Sequence, residues 1–302
     1  MALAERFGGA VVNADSQQVY AHWRVLTARP IRAEEARLPH RLFGFLPLRA
    51  QYSAGAWLRD LPTVLADCEA AGRVPIIVGG TGLYFRALTE GMAPIPSVPD
   101  AVRQEAEAML SSQGLAAMVQ DLADKDPETA AQIDVRNPAR VLRAWEVLQA
   151  TGKGLVAWRQ VPTEPLLPLC DCVAVRIDPP REWLYRRCDL RLDEMVAGGA
   201  LEEVAAADAP PDAPGMKAVG VAELSRHLQG ECTLADAVTE AKTATRRYAK
   251  RQLTWARNQM PGWLAIAETD RAQRLAAVLA RVENRLDPGI VSGNRALGTD
   301  EG

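Results

Sequence analysis

Ala10-Val-Val-Asn-Ala-Asp-Ser-Gln-Gln-Val-Tyr20 decides how this chain is read. Ala10, Val11 and Val12 form a short apolar run, and the polar residues Asn13, Asp15, Ser16, Gln17 and Gln18 crowd in behind it. Such a run reads as a buried strand, and helical patterns later in the chain suit a parallel sheet with both faces covered. Ligands of such sheets gather beyond the carboxyl ends of the strands. Asp15 therefore stands where a general base or a metal-holding carboxylate would serve. A plainer local reading is also open, with Asp15 capping the next segment and Asn13 making a turn.

The surroundings of that stretch are those of a soluble globular protein. At 302 residues the chain is long enough for one large domain or two. Its net charge of −3 announces no nucleic-acid binder, so any basic surface must be local. The cysteines Cys68, Cys170, Cys172, Cys188 and Cys232 are odd in number and scattered, which predicts reduced, mostly buried thiols. Cys170-Asp-Cys172 lacks a second ligand pair for zinc. No apolar run approaches the ~20 residues of a membrane span, and the first residues lack a signal-peptide core. A cytoplasmic protein is expected.

Met1 to Phe7 reads as the last turns of a helix that Gly8-Gly9 stops. After Tyr20, a polar segment through Arg29-Pro30 and Pro39-His40 predicts an irregular crossing. Trp57, Leu58, Leu61, Val64, Leu65 and Cys68 have helical spacing, and Gly72 ends that helix. Val74-Pro-Ile-Ile-Val78 reads as a second buried strand, running through Gly79-Gly-Thr-Gly82 into a helix over 83–88. A glycine turn of this kind either lets backbone N–H groups approach a phosphate or simply joins strand to helix tightly. It has neither the Lys-Ser/Thr of a P-loop nor the spacing of a dinucleotide fingerprint.

Pro94, Pro96 and Pro99 mark a boundary, and residues 100–158 read as helices alone. Arg136, Arg140 and Arg143 lie on one helical stretch with no acid before Glu146, as either a phosphate-contacting or a solvated face. Cys172 to Ile177 reads as a third strand, and Asp178-Pro-Pro-Arg as the capped start of a long helix over 181–207. On it, Arg191 shares a stripe with Leu184, Cys188 and Met195, which predicts an inward-facing guanidinium, structural or anion-binding. Pro214 to Gly220 reads as a loop before a helix from about Val221. Residues 242–257 carry six basic residues and no acid, with like-charge i,i+4 pairs Arg246/Lys250 and Arg247/Arg251. Such pairs repel, so that helix wants an anionic partner unless it is a solvated face. Trp263 to Ile266 reads as a last strand, and the chain past about Asp287 as a loose tail.

In this order, Asn13-Ala-Asp-Ser-Gln-Gln-Val-Tyr20, Thr27-Ala-Arg-Pro30, Pro39-His40, Gly79-Gly-Thr-Gly-Leu-Tyr84 and Ala244-Thr-Arg-Arg-Tyr-Ala-Lys-Arg-Gln-Leu-Thr-Trp255 resemble the bacterial tRNA dimethylallyltransferase family. The resemblance covers residues 2 to about 266. It implies an α/β fold, a P-loop NTPase-like parallel sheet core with an inserted all-helical tRNA-binding domain. The boundaries expected are 1–94 and 166–283 for the core, 95–165 for the insert and 284–302 for a flexible tail. The implied reaction moves a dimethylallyl group from dimethylallyl diphosphate to N6 of the adenosine 3′ of the tRNA anticodon, with Mg²⁺ as cofactor. The implied partners are the tRNA anticodon stem-loop and dimethylallyl diphosphate, with no membrane and a monomeric chain.

The resemblance makes Asp15 the general base, and puts Ser16, Gln17 and Gln18 at positions that hold the flipped adenosine. Thr81, Arg103 and the run Ala139, Arg140, Val141, Leu142 and Arg143 match tRNA-contacting positions. Lys217, Gly220 and Val221 stand at further tRNA positions, although Lys217 and Val221 depart from the residues usual there. Arg191 matches an arginine acting on the diphosphate, and Arg246, Arg247 and Lys250 are further candidates on that side. The family's Gly-Pro-Thr-X-Ser-Gly-Lys-Ser/Thr loop and the strand before it are absent from this chain, which starts at the helix after them. No other Gly-Lys-Ser/Thr occurs, so the expected Mg²⁺ ligand has no counterpart and no metal ligand is assigned. The expectation is a start codon assigned too late, and a diphosphate site incomplete as the chain stands. Two other readings stay open: a non-catalytic tRNA-binding paralogue, and an adenylate isopentenyltransferase, against which the helical insert argues.

Overall fold

The computed structural model describes residues 1–285. Helix α1 (Ala2–Arg6) ends at Gly8, in the left-handed region at φ 61°, and leads into strand β1 (Ala10–Asn13). All four β1 residues are buried, as a central strand with covered faces requires. Next come α2 (Arg32–Arg37), the two-residue strand β2 (His40–Arg41), and α3 (Ala54–Ala70), whose cap Ser53 accepts the Ala56 N–H at 3.1 Å. Strand β3 (Pro75–Val78) then runs into α4 (Gly82–Glu90). Four helices come after it: α5 (Asp100–Lys125, broken at Gly114), α6 (Pro127–Gln132), α7 (Pro138–Thr151) and α8 (Leu155–Arg159). The strand-and-helix pattern returns with β4 (Val175–Ile177), α9 (Arg181–Ala197), α10 (Ala200–Ala205) and α11 (Val221–Leu228). It closes with α12 (Leu234–Gln259), β5 (Leu264–Ile266) and α13 (Arg271–Glu283).

The chain forms two compact units. One joins Met1–Thr89 to the chain from Leu166 onward, and the other is Glu90–Pro165. In the first, β2-β1-β3 and β4-β5 are separate, wholly parallel sheets. Pairing of Asn13 with Val78 puts the carboxyl ends of β1 and β3 side by side. Trp57 of α3 is fully buried, donates Nε1–H to the Asn13 carbonyl at 2.7 Å and stacks on Tyr84. A second cluster gathers Val19, Trp23, Leu26, Val221 and Leu224, with Trp23 donating to the Gly215 carbonyl at 2.7 Å. The helical unit packs two cores of its own, around Leu122 with Val147 and around Met118 with Val141 and Trp145. No helix among the described residues is long and apolar enough to cross a membrane.

Several local expectations need correction. β3 is not buried: Val78 is 41% exposed, because β3 is the edge of its sheet with no strand beyond it among the described residues. The crossing after Tyr20 contains α2 and β2, too short to show a period. The third strand shrinks to Val175–Ile177, after a 3₁₀ turn at Leu169–Asp171 that leaves Cys170 exposed. All five cysteines are free, but only Cys68 and Cys188 are buried. Asp178 caps nothing; its carboxylate takes Arg257 at 2.5 Å, and Pro180 precedes the helix instead. The long helix breaks at Gly198-Gly199, where Gly199 has φ 102°. The tail expected at 284–302 lies outside the described residues beyond Arg285.

Trp23→Phe removes the Nε1–H donor of the buried Gly215 carbonyl, which keeps only the longer bond from Ala218 N–H at 3.4 Å. We expect a loss of about 1–3 kcal/mol in urea unfolding, with the slope unchanged.

Candidate active site

The site begins where β1 stops. Asn13 is fully buried and in the strand, yet its side chain organises the chain beyond it. Its Oδ1 accepts the Asp15 N–H and its Nδ2 donates to the Asp15 and Leu42 carbonyls, all at 2.9 Å. Asp15 then folds the next turn over itself, with Oδ1 accepting from Gln17 N at 2.8 Å and Gln18 N at 3.4 Å. The capping reading of Asp15 is therefore correct, and it occupies one oxygen only. Oδ2 faces Gly80 across the strand ends: a Cβ at Gly80 would stand 3.2 Å from it. Burial raises the Asp15 pKa above the ordinary carboxylate value, against N–H groups of Gln17, Gln18 and Gly80 and the Arg191 guanidinium.

The turn after β3 is held against this carboxylate. At Gly79 any side chain would collide with the Ala14 carbonyl, so only glycine lets the two strand ends touch. Thr81 donates its N–H to that same carbonyl at 3.1 Å, and its Oγ1 accepts Ser16 N–H at 2.9 Å while donating to Ser16 Oγ at 3.2 Å. Gly80 lies against both the Gln252 amide and Asp15 Oδ2, and Gly82 lies against the Trp255 ring. These glycines are explained by close packing against protein.

Gln17 and Gln18 are spoken for at their carbonyl or amide ends. Gln17 Oε1 accepts Val219 N–H at 3.3 Å, and Gln18 Nε2 donates to the Thr27 carbonyl at 2.8 Å and the Ala28 carbonyl at 3.2 Å. Arg191 donates to the same Thr27 carbonyl at 3.3 Å. The spacing puts Arg191 on an inward stripe, but its side chain is exposed, although its neighbours Cys188 and Leu192 are buried. Its guanidinium still turns toward the site, where loss of hydration lowers its pKa and the Asp15 charge opposes that shift. Ala28 and Leu42 hold left-handed backbone at φ 48° and 63°, beside buried Arg29 and a Gly44 whose missing side chain leaves the guanidinium its space.

The basic helix α12 has its own partners. Lys242 pairs with Asp193 and Arg246 with Asp189, each at 2.6 Å, so the acids of α9 relieve the like-charge repulsion. Arg246 is thus a neutralised structural cation. Arg247 and Lys250 are exposed, and Arg247 lines a cavity of about 300 Å³ with Lys217, Gly220, Glu223 and Arg251. Gly220 holds φ 95°, and the Val221 side chain packs in the core. The α12 residues that meet the site are others: Tyr248, Gln252 and Trp255. They form an uncharged i, i+4, i+7 stripe between the cations, a signal that the charge pattern masks. Burial raises the Tyr248 pKa, as does the Asp15 charge, while hydrogen bonds from Gln252 and Gln17 oppose it.

In the helical unit, Arg103 pairs with Asp100 at 3.3 Å and Arg143 with the buried Glu146 at 3.6 Å. Ala139, Arg140 and Arg143 are exposed, with Arg140 lacking a side-chain partner among the described residues. Val141 is fully buried and Leu142 packs on the same core, so these two side chains hold the helix rather than face a ligand.

A family model described as IPP transferase matches residues 18–259, and the chain belongs to that family. A tRNA dimethylallyltransferase from one strain of Cereibacter sphaeroides is 55% identical over 263 residues, 86% of this chain and 88% of the relative. One from a Bradyrhizobium species is 49% identical over 267 residues, 87% of this chain and 88% of that one. The structure of the full-length tRNA isopentenylpyrophosphate transferase from Bacillus halodurans superposes with TM-score 0.64 at 29% identity, covering 97% of this chain and 93% of the other. A eukaryotic dimethylallyltransferase acting on tRNA reaches 0.76 at 24% identity over 93% and 75%, a likeness of fold alone. The fold class is therefore the P-loop-like α/β core with a helical unit.

A raised pKa means that folded Asp15 holds its proton more tightly than the unfolded chain does. Stability from that group is present at low pH and is lost as pH rises through 3.8 and onward through the raised value. Asp15→Asn keeps an acceptor for the Gln17 N–H and removes the charge. We expect a higher Tm than the parent at pH 7, with the difference shrinking toward pH 4, read by thermal scans across pH.

Proposed function

We propose that this protein transfers a dimethylallyl group from dimethylallyl diphosphate to N6 of the adenosine 3′ of the anticodon in tRNA. The observation that carries this is Asp15: a carboxylate of raised pKa at two touching strand ends, with one oxygen free of the turn it caps and a guanidinium nearby. In the reaction the N6 lone pair forms a bond to C1 of the dimethylallyl group. The C1–O bond breaks, its electron pair leaving with the diphosphate, and the N6 proton passes to Asp15 Oδ2. A base of raised pKa takes that proton more readily than an ordinary carboxylate. Arg191, exposed and turned toward the site, is the described residue that suits the departing anion.

The target base must leave its stack to meet the donor carbon, and Ser16, Gln17, Gln18 and Thr81 are the polar groups that would receive it. Arg103, Ala139, Arg140 and Arg143 give the helical unit an RNA-facing surface, and Lys217 with Arg247 gives the core another. Such a macromolecular surface favours tRNA over a free adenine nucleotide as acceptor. Mg²⁺ would balance the diphosphate charge when bound. Among the described residues no three His, Cys, Asp or Glu side chains converge to hold a metal, and Asp15 Oδ1 already accepts N–H bonds. We place the reaction in the cytoplasm, on a monomer.

The test is a transfer assay with unmodified tRNA, Mg²⁺ and labelled dimethylallyl diphosphate, run on the 302-residue chain and on a form bearing a Gly-Pro-Thr-X-Ser-Gly-Lys-Thr loop upstream. Labelling of N6 by either form supports the assignment, and labelling by neither overturns it in favour of a tRNA-binding protein. Asp15→Ala in the active form lowers the transfer rate by about 10²–10⁴-fold with tRNA affinity little changed. Equal loss of rate and affinity would make Asp15 structural.

A further inference from the structure

The uncharged stripe of α12 has a contact that packing alone does not call for. Gln252 Nε2 donates to the Gly80 carbonyl at 2.9 Å, reaching 172 residues back along the chain to a turn already stitched to Ala14 and Ser16. Gly80 is the residue whose N–H faces the Asp15 carboxylate. It is also crowded: a Cβ there would collide with Gln252 Nε2 and stand 3.2 Å from Asp15 Oδ2. The Gln252 amide and the Asp15 carboxylate thus both approach the space that the glycine leaves open. Tyr248, one helical turn before Gln252, lies near that amide and Gln17, and both hold its pKa down against burial.

We infer that Gln252 is a positioning residue for Asp15. Through its bond to the Gly80 carbonyl it fixes the Gly79–Gly82 turn, and thereby aims the Gly80 N–H at the carboxylate oxygen left free by the Gln17 and Gln18 cap. That N–H stabilises the ionised form, so Gln252 determines how far burial can lift the affinity of Asp15 for a proton. The inference rests on the proposed role of Asp15 only for its effect on rate. Without this third N–H the buried carboxyl would hold its proton still more tightly and be less available as an ionised base. The device works through the backbone of an intervening glycine, so no motif search on charged or nucleophilic residues would pick it out.

The experiment is a pH titration of the Asp15 carboxyl followed by ¹³C NMR in selectively labelled protein, with its signal identified by its loss in Asp15→Asn. Gln252→Met keeps the volume, and so the exclusion of water, while removing the donor. Its midpoint should move up by about 0.5–1 pH unit relative to the parent. Gly80→Ala, whose methyl displaces the Gln252 amide, should move the midpoint in the same direction. The double variant should move it no further than the larger single shift, because both changes break one bond. A midpoint unmoved in Gln252→Met, or shifts that add in the double variant, overturns the inference whether or not the enzyme turns over. In the transfer assay the acid limb of kcat/KM should follow the NMR midpoint with KM for the diphosphate unchanged. An NMR shift with no movement of that limb leaves the positioning role standing and removes Asp15 from the chemistry.

Discussion

Parallel pairing of β1 with β3 in the register Asn13 to Val78 is the constraint on which the site depends. It brings two loops far apart in sequence to one edge, and steric contact does the rest. Gly79 sits where any side chain would strike the Ala14 carbonyl, so the strand ends touch without an intervening layer. Thr81 and Ser16 then tie the loops together through hydroxyl and N–H groups. A slip of one residue would turn Asn13 out of its buried position and cost it the bond to the Leu42 carbonyl. Register, burial of Asn13 and placement of Asp15 are one event.

Electrostatics divide the long basic helix into two jobs. The acids of α9 neutralise Lys242 and Arg246, and Asp178 takes Arg257, which lets a 26-residue helix with clustered cations lie close to the core. Arg247 and Lys250 stay in solvent on another face. Between the faces runs the neutral stripe of Tyr248, Gln252 and Trp255, which meets the glycine turn and Asp15. A guanidinium in place of Gln252 would bring a full charge against a partly buried carboxylate and pull its pKa down, removing the property that suits Asp15 to accept a proton.

Much of the frame was legible in the chain itself. The apolar run before Asn13, the helical spacing after Ser53, the proline-marked start of an all-helical stretch and the strand-turn-helix around Gly79 all correspond to elements of the structure. Local period and breaker residues suffice there, because each element is long enough to show a face. Readings failed where the element was short or the partner distant. β2 spans two residues and β4 three, too few for a period. Asp178 looks like a cap beside its prolines, yet an arginine 79 residues away claims it.

The sequence by itself determined the class of fold, the order of its units and the identity of Asp15 as the carboxylate at a strand end, because those follow from hydrophobic period, glycine and proline placement and side-chain chemistry. Only the tertiary structure decided that Arg191 is exposed yet turned to the site, that Arg246 is neutralised, that Val141 and Val221 are core, and that Gln252 reaches Gly80. The physical reason is that burial and charge pairing are properties of the groups opposite a residue, and a chain read along its length records only the groups beside it.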